Sequence, residues 1–111
     1  MMAKARLIRH QAPVKAAVTA QLATAIAIFT FAPIRLGNLI SIRLEENLIR
    51  PGGLDSPYWL VFPHYDVKNR VQLQFKLISE LSALIDEYIN DYRPTLLRGS
   101  NDLWLFPGHG G

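Results

Sequence analysis

The sequence predicts an α+β domain in which helices pack on a small three-stranded antiparallel sheet. Residues 16–34 carry no charge, which is typical of a core helix. Residues 71–77 alternate apolar and polar side chains without interruption, as a half-buried strand does. A third segment places apolar side chains at helical spacing between Leu81 and Tyr92. Since helices precede and follow the strand region, the pattern favours segregated helices and an antiparallel sheet.

The composition allows one domain with a modest core. The chain has 111 residues, half of them hydrophobic, so we expect it to fold. It has no cysteine, which excludes a disulfide framework or a thiolate metal site and is compatible with a reducing, cytoplasmic location. Residues 1–50 contain seven Lys and Arg against two Glu, whereas the remainder contains five basic and seven acidic residues. A basic half suggests an anionic partner such as nucleic acid or a membrane surface.

The first helix is expected within residues 16–34, after a basic lead-in that comprises residues 1–15. A basic head before an apolar run also begins signal peptides and membrane anchors. The run is, however, rich in alanine and interrupted by Thr, Gln and Pro33, which favours a soluble core helix that packs on both sides. Its large side chains form one stripe and its alanines lie opposite: Val18, Leu22, Ile26 and Phe29, against Ala20, Ala23 and Ala27.

Shorter elements follow this helix. A second helix is predicted from Ile34 to Arg43, where Gly37 suggests the close approach of another backbone. A weak strand is predicted from Leu44 to Ile49, and the Arg-Pro-Gly-Gly run at residues 50–53 predicts a sharp turn.

Two further strands are predicted at Tyr58–Phe62 and Val71–Leu77. They most simply form an antiparallel hairpin whose connection runs from His64 to Arg70. Lys68 then lies near the hairpin tip, because Asn69 tolerates the left-handed backbone that tips require.

The third helix is predicted to begin with Ser79 as its N-cap and to end at Pro94. Its apolar stripe consists of Leu81, Leu84, Ile85, Tyr88 and Tyr92. A polar loop at residues 98–102 leads to a short apolar run at residues 103–106.

Arg35 is the first charge after the uncharged segment, and it lies where one helix should stop and the next begin. A cation between two apolar elements is either part of a structural pair at a helix end or a group available to an anion. The sequence around Arg35 alone leaves both interpretations open.

The order of these features resembles the first half of the catalytic domain of tyrosine recombinases, the phage-integrase family. The run Ile34-Arg35-Leu36-Gly37-Asn38-Leu39 resembles the family's first arginine motif, and Val67-Lys68-Asn69 lies where the family carries a catalytic lysine on a hairpin. Leu103-Trp104-Leu105-Phe106-Pro107 resembles the segment before the second half of the domain. The resemblance covers residues 16–111 and implies a partial, truncated integrase-like catalytic domain.

The resemblance implies a site for double-stranded DNA that needs neither metal nor cofactor. In the family a tyrosine attacks a DNA phosphodiester and expels a 5′-hydroxyl. Arg35 would bind the scissile phosphate, Lys68 would protonate the leaving oxygen, and Arg70 would contact the phosphate backbone.

The chain departs from the family's pattern in two ways. The acid that usually follows the arginine by three residues is Asn38, and no histidine is followed three residues later by arginine. The four tyrosines lie in elements that do not match the family's nucleophile, and we interpret them as packing residues. The chain alone is therefore expected to be inactive.

Two other functions stay open on the sequence. One is a non-catalytic DNA-binding or oligomerisation remnant, and the other is a small membrane-anchored domain. We also expect self-association, because the helices of residues 16–43 are apolar over more surface than a fragment of this size can cover.

Overall fold

The computed structural model describes residues 1–62 and 73–107, and there the chain folds into helices around a three-stranded antiparallel sheet. The predicted α+β class is confirmed. The helices are α1 Met2–Ile8, α2 Pro13–Phe31, α3 Leu36–Ile40, α4 Ser79–Glu87 and α5 Arg93–Leu97, with a π-helical turn Tyr88–Tyr92 between the last two. The strands are β1 Leu48–Ile49, β2 Trp59–Phe62 and β3 Leu73–Lys76.

The sheet has the order β1-β2-β3, and both pairs of strands are antiparallel. Leu60 of β2 pairs with Leu48 on one side and with Phe75 on the other. Side chains of β3 alternate between partly buried and exposed, as the sequence pattern predicts. The predicted pairing of the last two strands is confirmed, whereas the connection from His64 to Arg70 lies outside the described residues.

The predicted strand over Leu44–Ile49 is shorter than expected. Glu45 adopts a positive φ of 71°, and residues 45–47 form a turn, so only Leu48 and Ile49 join the sheet. Before that turn, Arg43 forms an isolated bridge with Trp104, which ties the C-terminal segment to the α3–β1 connection.

The helix α2 packs through its small side chains, which corrects the expectation that both of its faces pack. Its large side chains Val18, Leu22, Ile26 and Phe29 are about half exposed, from 46% to 54%. The opposite face is buried against α1, the π-helical turn and α5. Small side chains allow these neighbours to approach closely. The buried residues are Ala16, Ala17, Ala20, Thr24 and Ile28.

The helix α2 is long and apolar enough to cross a bilayer. Its most apolar 18 residues have a mean hydropathy of 1.6, and 28% of them are buried in the fold. Core helices of soluble proteins and signal sequences pass the same test. Length and hydropathy therefore do not decide between a soluble core helix and a membrane segment.

The second helix covers only Leu36–Ile40, shorter than the predicted span of Ile34–Arg43. The expectation that another backbone closely approaches Gly37 finds no support among the described residues. A Cβ placed on Gly37 meets nothing within 4 Å among the described residues.

Two expectations for the third helix are wrong at its ends. Ile78 occupies the N-cap position and Ser79 is the first helical residue, without a side-chain cap. Pro94 does not end the helical segment, because the π-helical turn precedes it. The Arg93 amide donates to the Tyr88 carbonyl with π-helical spacing, and Pro94 then falls in the first turn of α5, where its missing N–H does no harm.

The predicted apolar stripe of this helix is confirmed. Leu81, Ile85, Tyr88 and Tyr92 are buried, and Leu84 is partly buried against the same core. The Tyr88 hydroxyl donates to the Leu105 carbonyl at 2.8 Å. Burial raises the pKa of both tyrosines above its ordinary value. Both are packing residues, as predicted.

Candidate nucleic-acid interface

Arg35 lies directly before α3, at the N-cap position predicted from the sequence, and its side chain is exposed. Its backbone is extended, with φ of −77° and ψ of 152°. The neighbouring Ile34 and Leu39 are buried, and the Leu39 amide donates to the Arg35 carbonyl at 3.0 Å. The backbone of Arg35 is therefore anchored on both sides while its guanidinium faces solvent.

The other arginines of the basic half are paired with carboxylates. Within residues 1–62 and 73–107, Arg35 alone among the arginines of the first fifty residues makes no ion pair. The four pairs are Arg6 with Glu87 at 2.7 Å, Arg9 with Asp91 at 3.6 Å, Arg43 with Glu46 at 3.6 Å and Arg50 with Asp86 at 2.6 Å. The structural-pair interpretation of Arg35 thus finds no support in the described part of the chain.

The N-terminal pairs change how the positive charge of this half is distributed. The Arg6 guanidinium makes two hydrogen bonds to Glu87, and it lowers the pKa of that carboxyl below its usual value. Arg9 also lies over the ring of Tyr92, at 5.6 Å from its centroid. Both cations attach α1 to the segment that contains α4 and the π-helical turn, so they are less available to an anion than Arg35.

A polar cavity of about 450 Å³ lies one helical turn beyond Arg35. Asn38 lines this cavity, and its amide makes no hydrogen bond to Arg35 among the described contacts. The cavity also reaches Phe62, where β2 ends and the predicted hairpin connection departs. The remaining described residues around it are Ser41, Arg43, Glu46, Asn47 and Trp104.

Arg43 and Asn47, which both line this cavity, are held by further contacts. The guanidinium of Arg43 lies 5.2 Å from the centroid of the Trp104 ring, a cation–π arrangement. Buried Asn47 accepts from the Arg43 amide at 3.0 Å and donates to the Val61 carbonyl at 3.0 Å. The α3–β1 connection is thereby fixed to β2.

The structure gives no distance from Arg35 to the other two predicted site residues. Lys68 and Arg70 lie outside the described residues, as does Tyr65. Their roles stay predictions.

A polar cluster that sequence reasoning missed joins Arg50, Tyr58 and Asp86. Arg50 donates to Asp86 at 2.6 Å, and the Tyr58 hydroxyl donates to the other oxygen of Asp86 at 2.7 Å. The guanidinium also lies 3.9 Å from the centroid of the Tyr58 ring. Burial, with the hydrogen bond to Asp86 as a further cause, raises the pKa of Tyr58 to about 12. This hydroxyl is a committed donor and a poor nucleophile.

No local signal could have revealed this cluster, since its members come from three separate elements. The sequence does show Arg50 before a turn and Asp86 on the helix, but nothing in either stretch says that they meet.

The described residues contain no group of three His, Asp or Glu side chains that could hold a metal ion.

Comparison with known protein families, with curated proteins and with solved structures found no match to this chain.

Proposed function

We propose that this chain is a DNA-binding part of a tyrosine-recombinase-type catalytic domain, in which Arg35 contacts a backbone phosphate. The observation that carries the proposal is the state of Arg35. It is exposed, anchored through its backbone, and unpaired within the described residues, whereas the other arginines of the basic half each have a carboxylate partner.

The chemistry of arginine fits this role. A guanidinium is planar, stays charged and presents several donors in a fixed fork, so it can bind two oxygens of one phosphate. A side chain that is not already engaged loses no internal ion pair when it binds. Asn38 adds no negative charge next to Arg35, so the local field remains favourable to an anion.

The proposed partners of Arg35 are Lys68 and Arg70. If the hairpin connection returns from β2 towards β3 beside the polar cavity, Lys68 can approach the same phosphate. Lys68 would act there as the proton donor to a leaving oxygen, and Arg70 would contact the neighbouring backbone. These cations would bind and orient DNA, and without a placed nucleophile the chain alone would not cleave it.

The experiment measures affinity for a short duplex of mixed sequence as a function of salt. With about four phosphate contacts, affinity should fall by roughly two orders of magnitude between low and moderate salt. Arg35→Gln and Lys68→Ala should each reduce the slope by about one unit. Arg98→Gln is the matched control, because Arg98 is also exposed and makes no ion pair among the described residues.

The outcome that contradicts the proposal is equally clear. Duplex binding that is absent at low salt, or slopes unchanged in both Arg35→Gln and Lys68→Ala, would remove these residues from any DNA interface. A slope that falls equally in Arg98→Gln would show non-specific charge attraction instead of a site at Arg35.

A further inference from the structure

Several large apolar side chains of α2 and of the adjacent α3 are left uncovered, and we name this set the α2–α3 face. Seven large side chains on it are between 40% and 62% exposed. Their apolar area is on the order of several hundred Å², the size at which an exposed patch on a soluble protein marks an interaction site. They are Val14, Val18, Leu22, Ile26 and Phe29 on α2, followed by Leu36 and Ile40 on α3.

This face also contains a recess for a side chain. A cavity of about 250 Å³ lies beside the middle of α2 and is lined mainly by apolar groups. Val18, Leu22 and Ala25 form one wall, and Leu39, Ile40 and Phe106 form the other. The face therefore offers both projecting side chains and a place to receive one.

We propose that two copies of this chain pair through the α2–α3 face, with their α2 helices antiparallel and Leu22 next to the two-fold axis. A two-fold interface requires one surface that is complementary to itself. The α2–α3 face meets this requirement because its large side chains are all apolar and the same face carries both the projecting residues and the recess. One such patch with its flanking residues, which is what each partner contributes, approaches the roughly 800 Å² per partner of a stable interface.

Charge selects the antiparallel arrangement. Lys15 is the only charged residue in α2, and it is exposed on the same side as the stripe. In a parallel pair the two Lys15 side chains would lie beside each other and repel. In an antiparallel pair centred on Leu22, Lys15 lies opposite Phe29 of the second copy, where a cation–π contact is available, and the helix dipoles oppose each other.

A membrane is the competing occupant, and the packing of α2 disfavours it. The buried face of α2 contacts α1, α5 and the π-helical turn, so insertion across a bilayer would strip these contacts. Arg6 and Arg9 of the basic head are already paired with Glu87 and Asp91, which leaves fewer cations for lipid headgroups.

The absence of cysteine from the chain makes the pairing directly testable, and no DNA is needed. On a size-exclusion column with light scattering, wild-type protein should have twice the mass of the 12.5 kDa chain at micromolar concentration. Leu22→Glu should weaken the dimer by at least about tenfold, because it places two carboxylates near the axis. Leu54→Glu is the matched control, since Leu54 is 86% exposed outside the face, and it should leave the dimer intact.

Cysteine variants then test the geometry. Leu22→Cys should cross-link to itself under mild oxidation, because disulfides need Cα atoms within about 7 Å. Val18→Cys should not, since antiparallel pairing separates the two positions by about eight residues, or about 12 Å along the helix. A mixture of Val18→Cys and Ile26→Cys should cross-link. Circular dichroism checks that each variant folds. Ile26→Lys is a second variant, beside Leu22→Glu, that should weaken the dimer.

Several outcomes would overturn the proposal. A wild-type monomer up to millimolar concentration, or an unchanged dimer in both Leu22→Glu and Ile26→Lys, would show that the face does not pair. Self-cross-linking of Val18→Cys would contradict the antiparallel arrangement. A wild-type monomer that floats with anionic lipid vesicles would show that the face is a lipid surface.

Discussion

The Tyr58 hydroxyl donates to Asp86 at 2.7 Å and thereby joins the start of β2 to α4. The same carboxylate accepts from Arg50 at 2.6 Å, so one side chain of α4 holds two groups from the sheet side of the domain. Ser82, one turn earlier on α4, accepts from the Tyr58 amide at 3.0 Å. These bonds fix the sheet on the helix, and the first prediction concerns their strength.

We expect Asp86→Asn to lower the free energy of unfolding by about 1–3 kcal/mol. The amide can still accept from Tyr58, but it leaves the guanidinium of Arg50, which is only 14% exposed, without its counter-charge. Urea denaturation followed by tryptophan fluorescence is the measurement. Asp55→Asn is the comparison, since Asp55 is exposed and acts on Arg50 only through a weaker electrostatic interaction, without an ion pair in the described part of the chain. An Asp86→Asn midpoint equal to that of the control would show that the ion pair contributes nothing.

The raised pKa of Tyr58 predicts a loss of stability in alkali. The pKa rises from 10.0 in the unfolded reference to about 12 in the fold, so the native state retains a proton that the unfolded state releases. The contribution is complete below pH 10 and is lost as the pH rises towards about 12. Urea denaturation from about pH 9 to about pH 11 should show a shallower decline in Tyr58→Phe than in wild type. Parallel curves would contradict the raised pKa.

The Arg6–Glu87 pair predicts the opposite pH dependence, a loss of stability in acid. The hydrogen bond from Arg6 lowers the pKa of Glu87 below its ordinary value of 4.5, so this stabilisation is present above that value and is lost as the pH falls through the lowered one. Glu87→Gln should therefore show a weaker acid dependence of unfolding. Glu80→Gln, on the same helix but without an ion pair among the described residues, should behave as wild type. The pair is partly exposed, so the effect should shrink in high salt.

Much of the fold could be predicted from local patterns in the sequence. Buried side chains recur with the period of the strand or helix that carries them. The alternation at residues 71–77 predicted β3, and helical spacing predicted the stripe that ends at Tyr92. The boundary before Arg35 was also predictable, since Pro33 ends one apolar run before the charge appears.

The predictions that failed have a common physical cause. Each concerned a feature that depends on residues far away in the sequence. Both faces of α2 are apolar, so only the position of its neighbours could show that the alanine face is the buried one. Pro94 was expected to end a helix, but a π-helical turn before it removes the conflict. At the candidate site, the sequence predicted Arg35 at the helix start but could not show that Arg35 has no carboxylate partner among residues 1–62 and 73–107.

The buried alanine face of α2 supplies a further prediction. Ala20 is completely buried where α2 contacts its neighbours, so Ala20→Leu should overpack the core and lower the free energy of unfolding by about 1–3 kcal/mol. Val18→Leu enlarges a side chain that is 54% exposed on the opposite face and should change stability by about 0.5 kcal/mol or less. Thermal unfolding at low protein concentration compares the two variants. Equal destabilisation by Ala20→Leu and Val18→Leu would contradict the assignment of the alanine face as the buried one.

The last prediction concerns the nucleophile. The phosphotyrosine route needs a tyrosine hydroxyl within about 3–3.5 Å of phosphorus. Tyr88 and Tyr92 are at most 2% exposed, and Tyr58 donates to Asp86. None of these three hydroxyls can reach DNA without breaking the core or the Asp86 cluster.

Only Tyr65, outside the described residues, remains near the predicted position of Lys68 along the chain. It would have to act without the second arginine and the histidine that the recombinase resemblance implies, and loss of one preorganised donor alone costs about 10²–10³ in rate. We therefore expect no covalent adduct after long incubation with a nicked suicide DNA substrate. The measurement is a denaturing gel of labelled DNA, with Tyr65→Phe as the matched variant. A shifted band in wild type that is lost in Tyr65→Phe would contradict the prediction and identify Tyr65 as a nucleophile.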